Sequence, residues 1–461
     1  MLPMSDKPDK DCLQIGVLGL GTSNLGVIEY LLGRGFRFSL TVRSRSKPSL
    51  DLLPKGCTVS RILTEDDCFL DVSESFLFLS PSARGDAPEI LRAKARGVTV
   101  TSDAALFFKQ NAKTRIFAVT GTDGKSTTVT ILSEILSRIY RDSALCGNIG
   151  KALSPLLLSP PEAAAVELSS FQLMNLTPKS TAALITNISE NHLDWHRDLD
   201  EYISAKENIF KNAAWRAAFA DNAPTLSLFK KYGGDALFSL SRSDGELRAL
   251  GAKVRITREG DFIVRNGERL LDCREIEKEG RHTLLNLMGA IAMLSEPVDG
   301  EIIGSAARAF HPLRHRAERI GCFGGVEFID SSIDSTPMRT SVTLSSMKSR
   351  PVVILGGRGK GLSLAPLLGA LICHSSGAVI TGECREQIKR AILSDERFKN
   401  ANYPFLAAES FQDAVILAAE LAGRGGTVLL SPAATSYDCF SDYKARGAEF
   451  SRIARLLDGS K

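Results

Sequence analysis

The stretch RIFAVTGTDGKSTTVTILSEILSRIY, residues 115–140, decides how this chain is read. It opens on an apolar run, Ile116 to Val119, which predicts a buried strand. It closes on a helical pattern that puts Val129, Leu132, Leu136 and Ile139 on one face. Between them lies Gly121-Thr122-Asp123-Gly124-Lys125-Ser126-Thr127. Glycines let the backbone curl so that its N–H groups converge on an anion. The helix N-terminus adds partial positive charge at the same place. Lys125 can then reach the β- and γ-phosphates of a nucleotide, and the Ser126 hydroxyl can bind Mg²⁺. The longer phosphate-loop pattern wants a glycine where Val119 stands, so the short form starting at Gly121 remains. A ligand-free glycine turn is the competing reading, but the ordered Gly-Lys-Ser-Thr after a buried strand outweighs it.

Outward from that stretch, composition sets the frame. The 461 residues are 44% hydrophobic and 24% charged, enough for several domains with ordinary cores. The 57 basic and 53 acidic residues leave a net charge of +4, which gives no electrostatic footprint for nucleic acid. The nine cysteines include no C-x-x-C pair, and reduced thiols in the cytoplasm are expected. The opening MLPMSDKPDKD lacks the apolar core of a signal peptide. No apolar run approaches the roughly 18 residues a membrane span needs, so no membrane partner is expected. A cytoplasmic monomer acting on small molecules is the expectation.

The predicted fold class is α/β in three domains. Residues 1–104 read as a Rossmann-like domain. Its strands are IGVLGLG, FSLTVRS, FLFLSPS and VTVTS, with a helix over Asn24–Leu32. Gly19-Leu20-Gly21-Thr22-Ser23-Asn24 resembles a dinucleotide fingerprint, with Asn24 where the third glycine belongs. After the second strand an NAD site would want an acid for the ribose. This chain offers Arg43, Ser44 and Arg45, which disfavours NAD and suits a phosphate-bearing ligand, NADP being the formal alternative. The Ser80-Pro81-Ser82 turn ends the third strand, where such sheets hold ligands.

Residues 105–312 read as a central P-loop α/β domain. Its further strands are Ala164–Leu168, Ala182–Asn187 and Ala217–Ala220. AKVRITREGDFIVRNGERLLDC predicts a small antiparallel meander turning at Asn266-Gly267. Residues 313–461 read as a second Rossmann-like domain on VEFID, PVVILGG, GAVIT and TVLLSP.

Chemistry-bearing residues follow the phosphate loop in order. Gly147-Asn148-Ile149-Gly150 precedes Glu167-Leu168-Ser169-Ser170-Phe171-Gln172. Glu167 ends a buried strand, where a carboxylate is costly unless paired or metal-bound; a helix-capping role is the alternative. His192, in NISENHLDWH, can bind a metal or position a substrate, while His196 is expected at the surface. Lys206 follows on a helix whose face carries Tyr202, Ile209 and Phe210, and a solvated lysine is its bland reading.

GTDGKST, GNIG, ELSSFQ, N-x-x-x-x-H-L-D and Y-x-x-A-K, in this order, resemble the Mur ligases of peptidoglycan synthesis, and ELSSFQ resembles their D-glutamate-adding branch. The similarity runs through Asn286, His315-Arg316-Ala317-Glu318, Gly356-Gly357-Arg358-Gly359-Lys360 and Ser431–Asp438. The resemblance implies an ATP-dependent ligase joining D-glutamate to UDP-N-acetylmuramoyl-L-alanine through an acyl phosphate. It implies ATP at Gly121, Thr122, Asp123, Gly124, Lys125, Ser126, Thr127, Asn286 and Arg316. It implies two Mg²⁺ ions at Ser126, Glu167, His192 and a carbamylated Lys206. The UDP-sugar would meet Thr22, Ser44, Ser80, Asn148 and Ser169, and D-glutamate would meet Lys360, Ser436, Tyr437 and Tyr443. The family's N-D-S-K run reads Asp330-Ser331-Ser332-Ile333-Asp334 here, leaving Asp330 or Asp334 for the ATP ribose. Asp123 replaces the family's usual Asn. A folylpolyglutamate-type or other Mur-type ligase is the nearest alternative. A nucleotide-gated binding protein without chemistry would not need His192, Lys206 and Lys360 together.

Overall fold

The computed structural model describes residues 12–44, 48, 50–64, 67, 72, 74–81, 83–111, 113–191, 195–277, 280–310, 314–347, 349–359 and 363–458. Three α/β sheets account for the chain. The first two belong to one compact unit, residues 1–311, and the third to a second unit, residues 312–461.

The first sheet contains β1 (Leu13–Leu18), β2 (Phe38–Ser44), β3 (Val59–Thr64), β4 (Phe76–Leu79) and β5 (Thr99–Thr101), in spatial order β3-β2-β1-β4-β5. Every pair is parallel, so helices must cross over its faces. These include α1 (Thr22–Gly33), α2 (Pro88–Ala95) and α3 (Asp103–Gln110). The strand order reverses between β1 and β4, which puts the Gly19–Asn24 turn and Ser80 at the switch point where ligands of such sheets bind. The edge strand β3 was not expected; its middle residues Ser60, Arg61 and Ile62 are exposed, so it carries no buried apolar run to read.

Two glycines of α1 weld the first sheet to the second. A Cβ on Gly26 would lie 2.4 Å from Ala152 Cβ, and one on Gly33 would lie 2.6 Å from Leu158 Cδ1. Both contacts flank the 3₁₀ turn Ser154–Leu157. Asp103, at the start of α3, caps that turn by accepting from Leu153 N at 3.0 Å and Ser154 N at 2.8 Å, and from the Ser154 hydroxyl. The expected domain boundary at 104/105 falls inside α3.

The central sheet has nine strands: β6 (Arg115–Thr120), β7 (Ser143–Gly147), β8 (Ala163–Glu167), β9 (Lys179–Ile185), β10 (Asn212–Phe219), β11 (Ala236–Phe238), β12 (Val254–Glu259), β13 (Phe262–Arg265) and β14 (Glu268–Asp272). Their spatial order is β14-β13-β12-β11-β10-β9-β6-β8-β7. The meander is present as β12–β14 and continues the parallel sheet through β11. Asn266 and Gly267 turn it with φ of 53° and 87°, the conformation a tight primed hairpin requires. Strand β6 lies between β8 and β9, and its faces are covered by α4 (Lys125–Ile139) and α6 (Leu199–Lys211) among others.

The third sheet contains β15 (Glu318–Phe323), β16 (Val326–Asp330), β17 (Val352–Gly356), β18 (Gly377–Thr381), β19 (Phe405–Ala407) and β20 (Thr427–Leu430). Its order is β15-β16-β20-β17-β18-β19, parallel except for the β15–β16 hairpin. The four expected strands are β16, β17, β18 and β20.

Candidate active site

The phosphate loop leaves β6 as expected. Gly121 and Gly124 take φ of 148° and 75°, and Gly124 caps α4 in the left-handed conformation. The loop is braced from β9 and the turn after it. Asn187 Oδ1 accepts from Thr122 N at 3.1 Å and Asp123 N at 2.8 Å, and Thr186 Oγ1 donates to Asp123 O at 2.6 Å. Asn222 in turn holds that turn through Ile188 N and O, each at 3.1 Å. Lys125 Nζ lies along its own loop, donating to Gly121 O at 2.9 Å and Thr122 O at 2.7 Å. Ser126 and Thr127 occupy the first turn of α4.

Asn286, on the helix Arg281–Ala292, closes the loop from above, accepting from Thr128 Oγ1 at 3.2 Å. Any Cβ on Gly124 would lie 2.3 Å from Asn286 Oδ1. Gly124→Ala therefore adds a clash to a left-handed backbone that costs about 1–2 kcal/mol for alanine. A Tm lowered by about 2–4 °C and a weaker apparent affinity for nucleotide are expected. Unchanged melting and unchanged nucleotide affinity would contradict this account of the loop.

Glu167 ends β8, in register with Val119 of β6, so it reaches the edge of the sheet beside the loop. Only 1% exposed, it accepts from Asn148 Nδ2 at 2.8 Å on Oε1, whereas Oε2 is buried without a hydrogen-bond partner. An unpartnered carboxylate oxygen held dry beside a phosphate loop fits a divalent cation. Lys206, on α6, is equally buried and donates to Gly121 O at 2.6 Å. Its Nζ lies 4.5 Å from the Tyr202 ring centroid. Burial drives the Lys206 amine well below its ordinary pKa and nearby Lys125 adds to this, while Asp123 and Glu167 oppose it. Asp123 thus has an electrostatic part to play toward Lys206 that its identity alone did not reveal.

His192 lies outside the described residues. His196, expected at the surface, is instead 2% exposed. Its Nε2 lies 2.9 Å from Ser170 Oγ, and Phe171 stacks on its ring with centroids 5.8 Å apart. Burial lowers its pKa, against the pull of Glu201, so the ring is held toward its neutral form. Trp195 and Tyr202 also pack on it; because Phe171 belongs to an earlier segment of the chain, no local pattern separates this histidine from a surface one.

Between the first and central sheets lies a cleft of about 120 Å³ lined by Ser23, Ser80, Lys94, Ser102, Phe171 and Gln172, among others. Ser80 lines it directly, Thr22 is exposed at the start of α1 next to Ser23, and Ser44 ends β2. Ser169 caps the short helix α5 (Ser170–Leu173), accepting from Gln172 N at 3.3 Å and donating to Gln172 Oε1 at 3.0 Å. Arg43 is not a phosphate ligand in waiting. It is 1% exposed and makes a forked ion pair with Glu74 at 2.8 and 3.0 Å, because its strand β2 is buried in the sheet. Arg45 lies outside the described residues.

In the second unit, Asp330 is fully buried, accepting from Ser332 N at 2.8 Å and lying 2.7 Å from His315 Nδ1. Asp334 accepts from Ser431 Oγ at 2.8 Å and Thr343 Oγ1 at 2.7 Å. Both carboxylates are therefore engaged inside the unit. Arg316 stands in a tight turn between His315 and Ala317, two non-glycine residues at φ of 66° and 48°. Ser436 is buried, Tyr437 is 61% exposed and Tyr443 opens the helix Tyr443–Leu456. Lys360 lies outside the described residues, and Arg358 is paired with Glu383 at 2.8 Å. Arg446 ties the strand-end turns together, donating to Ser332 O at 2.8 Å and to Ala434 O at 3.2 Å. Sequence reasoning missed it, since a lone Arg in a helix reads as surface.

Against known proteins, residues 119–294 match the Mur ligase middle domain, and residues 13–102 match the N-terminal domain described as Mur ligase MurD-like. The chain belongs to the Mur ligase family and is a ligase. Among its relatives is the UDP-N-acetylmuramoylalanine–D-glutamate ligase of Clostridium kluyveri, 33% identical over 96% of each chain. The enzyme of that name from Clostridium novyi is 31% identical, over 96% of this chain and 97% of its own. Among solved structures, the UDP-N-acetylmuramate–alanine ligase of Thermotoga maritima superposes with a TM-score of 0.62 at 18% identity, covering 97% of this chain and all of its own. That likeness establishes the shared fold. No described helix is long and apolar enough to cross a membrane.

Proposed function

We propose that this ligase uses ATP to join D-glutamate to the alanyl carboxylate of UDP-N-acetylmuramoyl-L-alanine, in the cytoplasm, as a step of peptidoglycan synthesis. The observation that carries the reading is Glu167 Oε2, buried and unpartnered one strand away from the phosphate loop. The alanyl carboxylate attacks the γ-phosphorus of ATP, forming an acyl phosphate and releasing ADP. The neutral amine of D-glutamate then attacks the acyl carbon, phosphate leaves with the C–O bond electrons, and the amine proton is lost to solvent.

The chain's own groups have separable tasks in this scheme. Backbone N–H groups at Gly124 and the first turn of α4 receive phosphate oxygens. Lys125 exchanges its loop carbonyls for phosphate and offsets developing charge. Asn286 fixes the loop and contacts ATP. Asn148 orients Glu167 and meets the sugar-linked substrate, as do Thr22, Ser44, Ser80 and Ser169 along the cleft. Glu167, Ser126, His192 and a carbamylated Lys206 would hold Mg²⁺, which supplies charge neutralisation between phosphate and carboxylate. Carbamylation needs a neutral amine: Lys206–NH₂ adds CO₂ to give Lys206–NH–COO⁻ and a proton. The burial that lowers the pKa of Lys206 supports that step.

An acyl phosphate makes an isotopic test available. With heavy oxygen in the alanyl carboxylate, one labelled atom should appear in the released phosphate. Unlabelled phosphate alone would refute this route.

D-glutamate is assigned to Lys360, Ser436, Tyr437 and Tyr443, with Lys360 on the side-chain carboxylate. A charge-assisted hydrogen bond is worth roughly 1.5–3 kcal/mol, so Lys360→Ala should raise the KM for D-glutamate about ten- to a hundredfold. KM for ATP and for the UDP-sugar should move far less. Arg358 is a poor substitute because Glu383 already occupies its guanidinium. An unchanged D-glutamate KM would remove Lys360 from the site.

A further inference from the structure

One guanidinium ties the loop after β4 to helix α6. Arg84 Nε and Nη2 bind Asp86 on the same loop at 2.9 and 2.8 Å. Nη1 donates to Trp195 O at 2.7 Å, and Nη1 and Nη2 reach Glu201 at 3.3 and 3.1 Å. The guanidinium carbon lies 4.8 Å from the Trp195 ring centroid. Glu201 also accepts from Arg197 N at 2.8 Å and Arg197 Nε at 2.6 Å. Burial by itself would raise the Glu201 carboxyl, but the bonds from Arg84 and Arg197 bring it to about 2, so it is ionised throughout the working range.

The contacts continue inward from Glu201. Its Oε2 packs 3.5 Å from His196 Nδ1 without a hydrogen bond, and His196 Nε2 is 2.9 Å from the hydroxyl of Ser170. Ser170 opens α5 beside Ser169, three residues after Glu167. On the other side, Ala83 and Gly85, the neighbours of Arg84, line the cleft, as does Phe171, whose ring centroid is 4.6 Å from that of Trp195. The pair therefore stands where the cleft wall, the Glu167–Gln172 turn and the helix carrying Lys206 meet. No step of the proposed reaction uses it.

We propose that Arg84 and Glu201 are positioning residues: their ion pair clamps the cleft wall at residues 83–87 to α6 and, through His196 and Ser170, sets the turn that follows Glu167, so that the sugar-linked carboxylate is delivered to the phosphate loop. The inference rests on the cleft being the UDP-sugar site. A planar fork matched to a carboxylate gives direction as well as charge, so lysine cannot fully replace Arg84.

Steady-state kinetics of the full chain test this with Arg84→Met, Arg84→Lys, Glu201→Gln and the Arg84→Met/Glu201→Gln double variant. Arg84→Met should raise KM for the UDP-sugar by about tenfold or more, with KM for ATP held within about twofold. The double variant should be no worse than the more severe single one, because both remove the same contact. Arg84→Lys should recover part of the loss and covers the case in which Arg84→Met does not fold. Equal changes in both KM values, additive effects, or no change would overturn the clamp. Should the unaltered chain show no turnover with the UDP-sugar, the ligand reading fails instead. Amide hydrogen exchange over residues 83–87 then decides the clamp: faster exchange in the Arg84→Lys protein supports it and unchanged exchange overturns it.

Discussion

Lys125→Ala should abolish turnover, lowering phosphate release by about a thousandfold or more while the protein melts within a degree or so of the unaltered chain. The expected split between activity and stability follows from where the side chain sits. Lys125 Nζ donates to carbonyls of its own loop, Gly121 O and Thr122 O, and it is not buried. Those carbonyls can turn to water when the lysine is gone. The charge that builds on the transferring phosphoryl group has no such substitute. Phosphate release near the unaltered rate by a folded Lys125→Ala protein would remove the loop from the chemistry.

Lys206→Ala should be nearly inactive for a different reason, and its activity should return in part when a short carboxylic acid is added. The buried amine costs free energy in its charged form, which its lowered pKa expresses. A shape-preserving Lys206→Met should therefore melt no lower than the unaltered chain, separating a chemical role from a structural one. Stripping CO₂ from the buffer should lower the activity of the unaltered enzyme and leave the acid-rescued Lys206→Ala protein unaffected. Full activity of Lys206→Ala in CO₂-depleted buffer would sink the carbamate.

What could be read from the chain, and what could not, divides along physical lines. The phosphate loop was legible because its glycines, lysine and flanking periods lie within one continuous stretch. Glu167 was legible because an acid ending the apolar run Ala163–Val166 breaks the rule for buried strands. Strand β3 was missed because its exposed residues imitate a loop. The burial of Arg43 required knowing that Glu74, in another strand's approach, would face it. The Arg84–Glu201 pair, 117 residues apart, is created by the packing of two sheets and has no signature in either segment.

The second unit shows the same limit. Asp330 was one of two acids offered for the ATP ribose, yet it is turned inward to His315 and Ser332. A strand-end aspartate can serve a ligand or its own fold, and only tertiary contacts decide which. The turn around Arg316 is held separately, by Ala317 N donating to Ser331 Oγ at 3.2 Å.

The central claim is the chemistry of one amide bond, and phosphate release from ATP tests it most directly. The 461-residue chain is assayed with Mg²⁺, ATP and UDP-N-acetylmuramoyl-L-alanine while the amino acid is varied: D-glutamate, L-glutamate, L-alanine, a diamino acid and none. The account predicts phosphate release with D-glutamate alone, matched one for one by a product heavier by a glutamyl residue. Release that ignores the amino acid, or that prefers any of the others to D-glutamate, would contradict it.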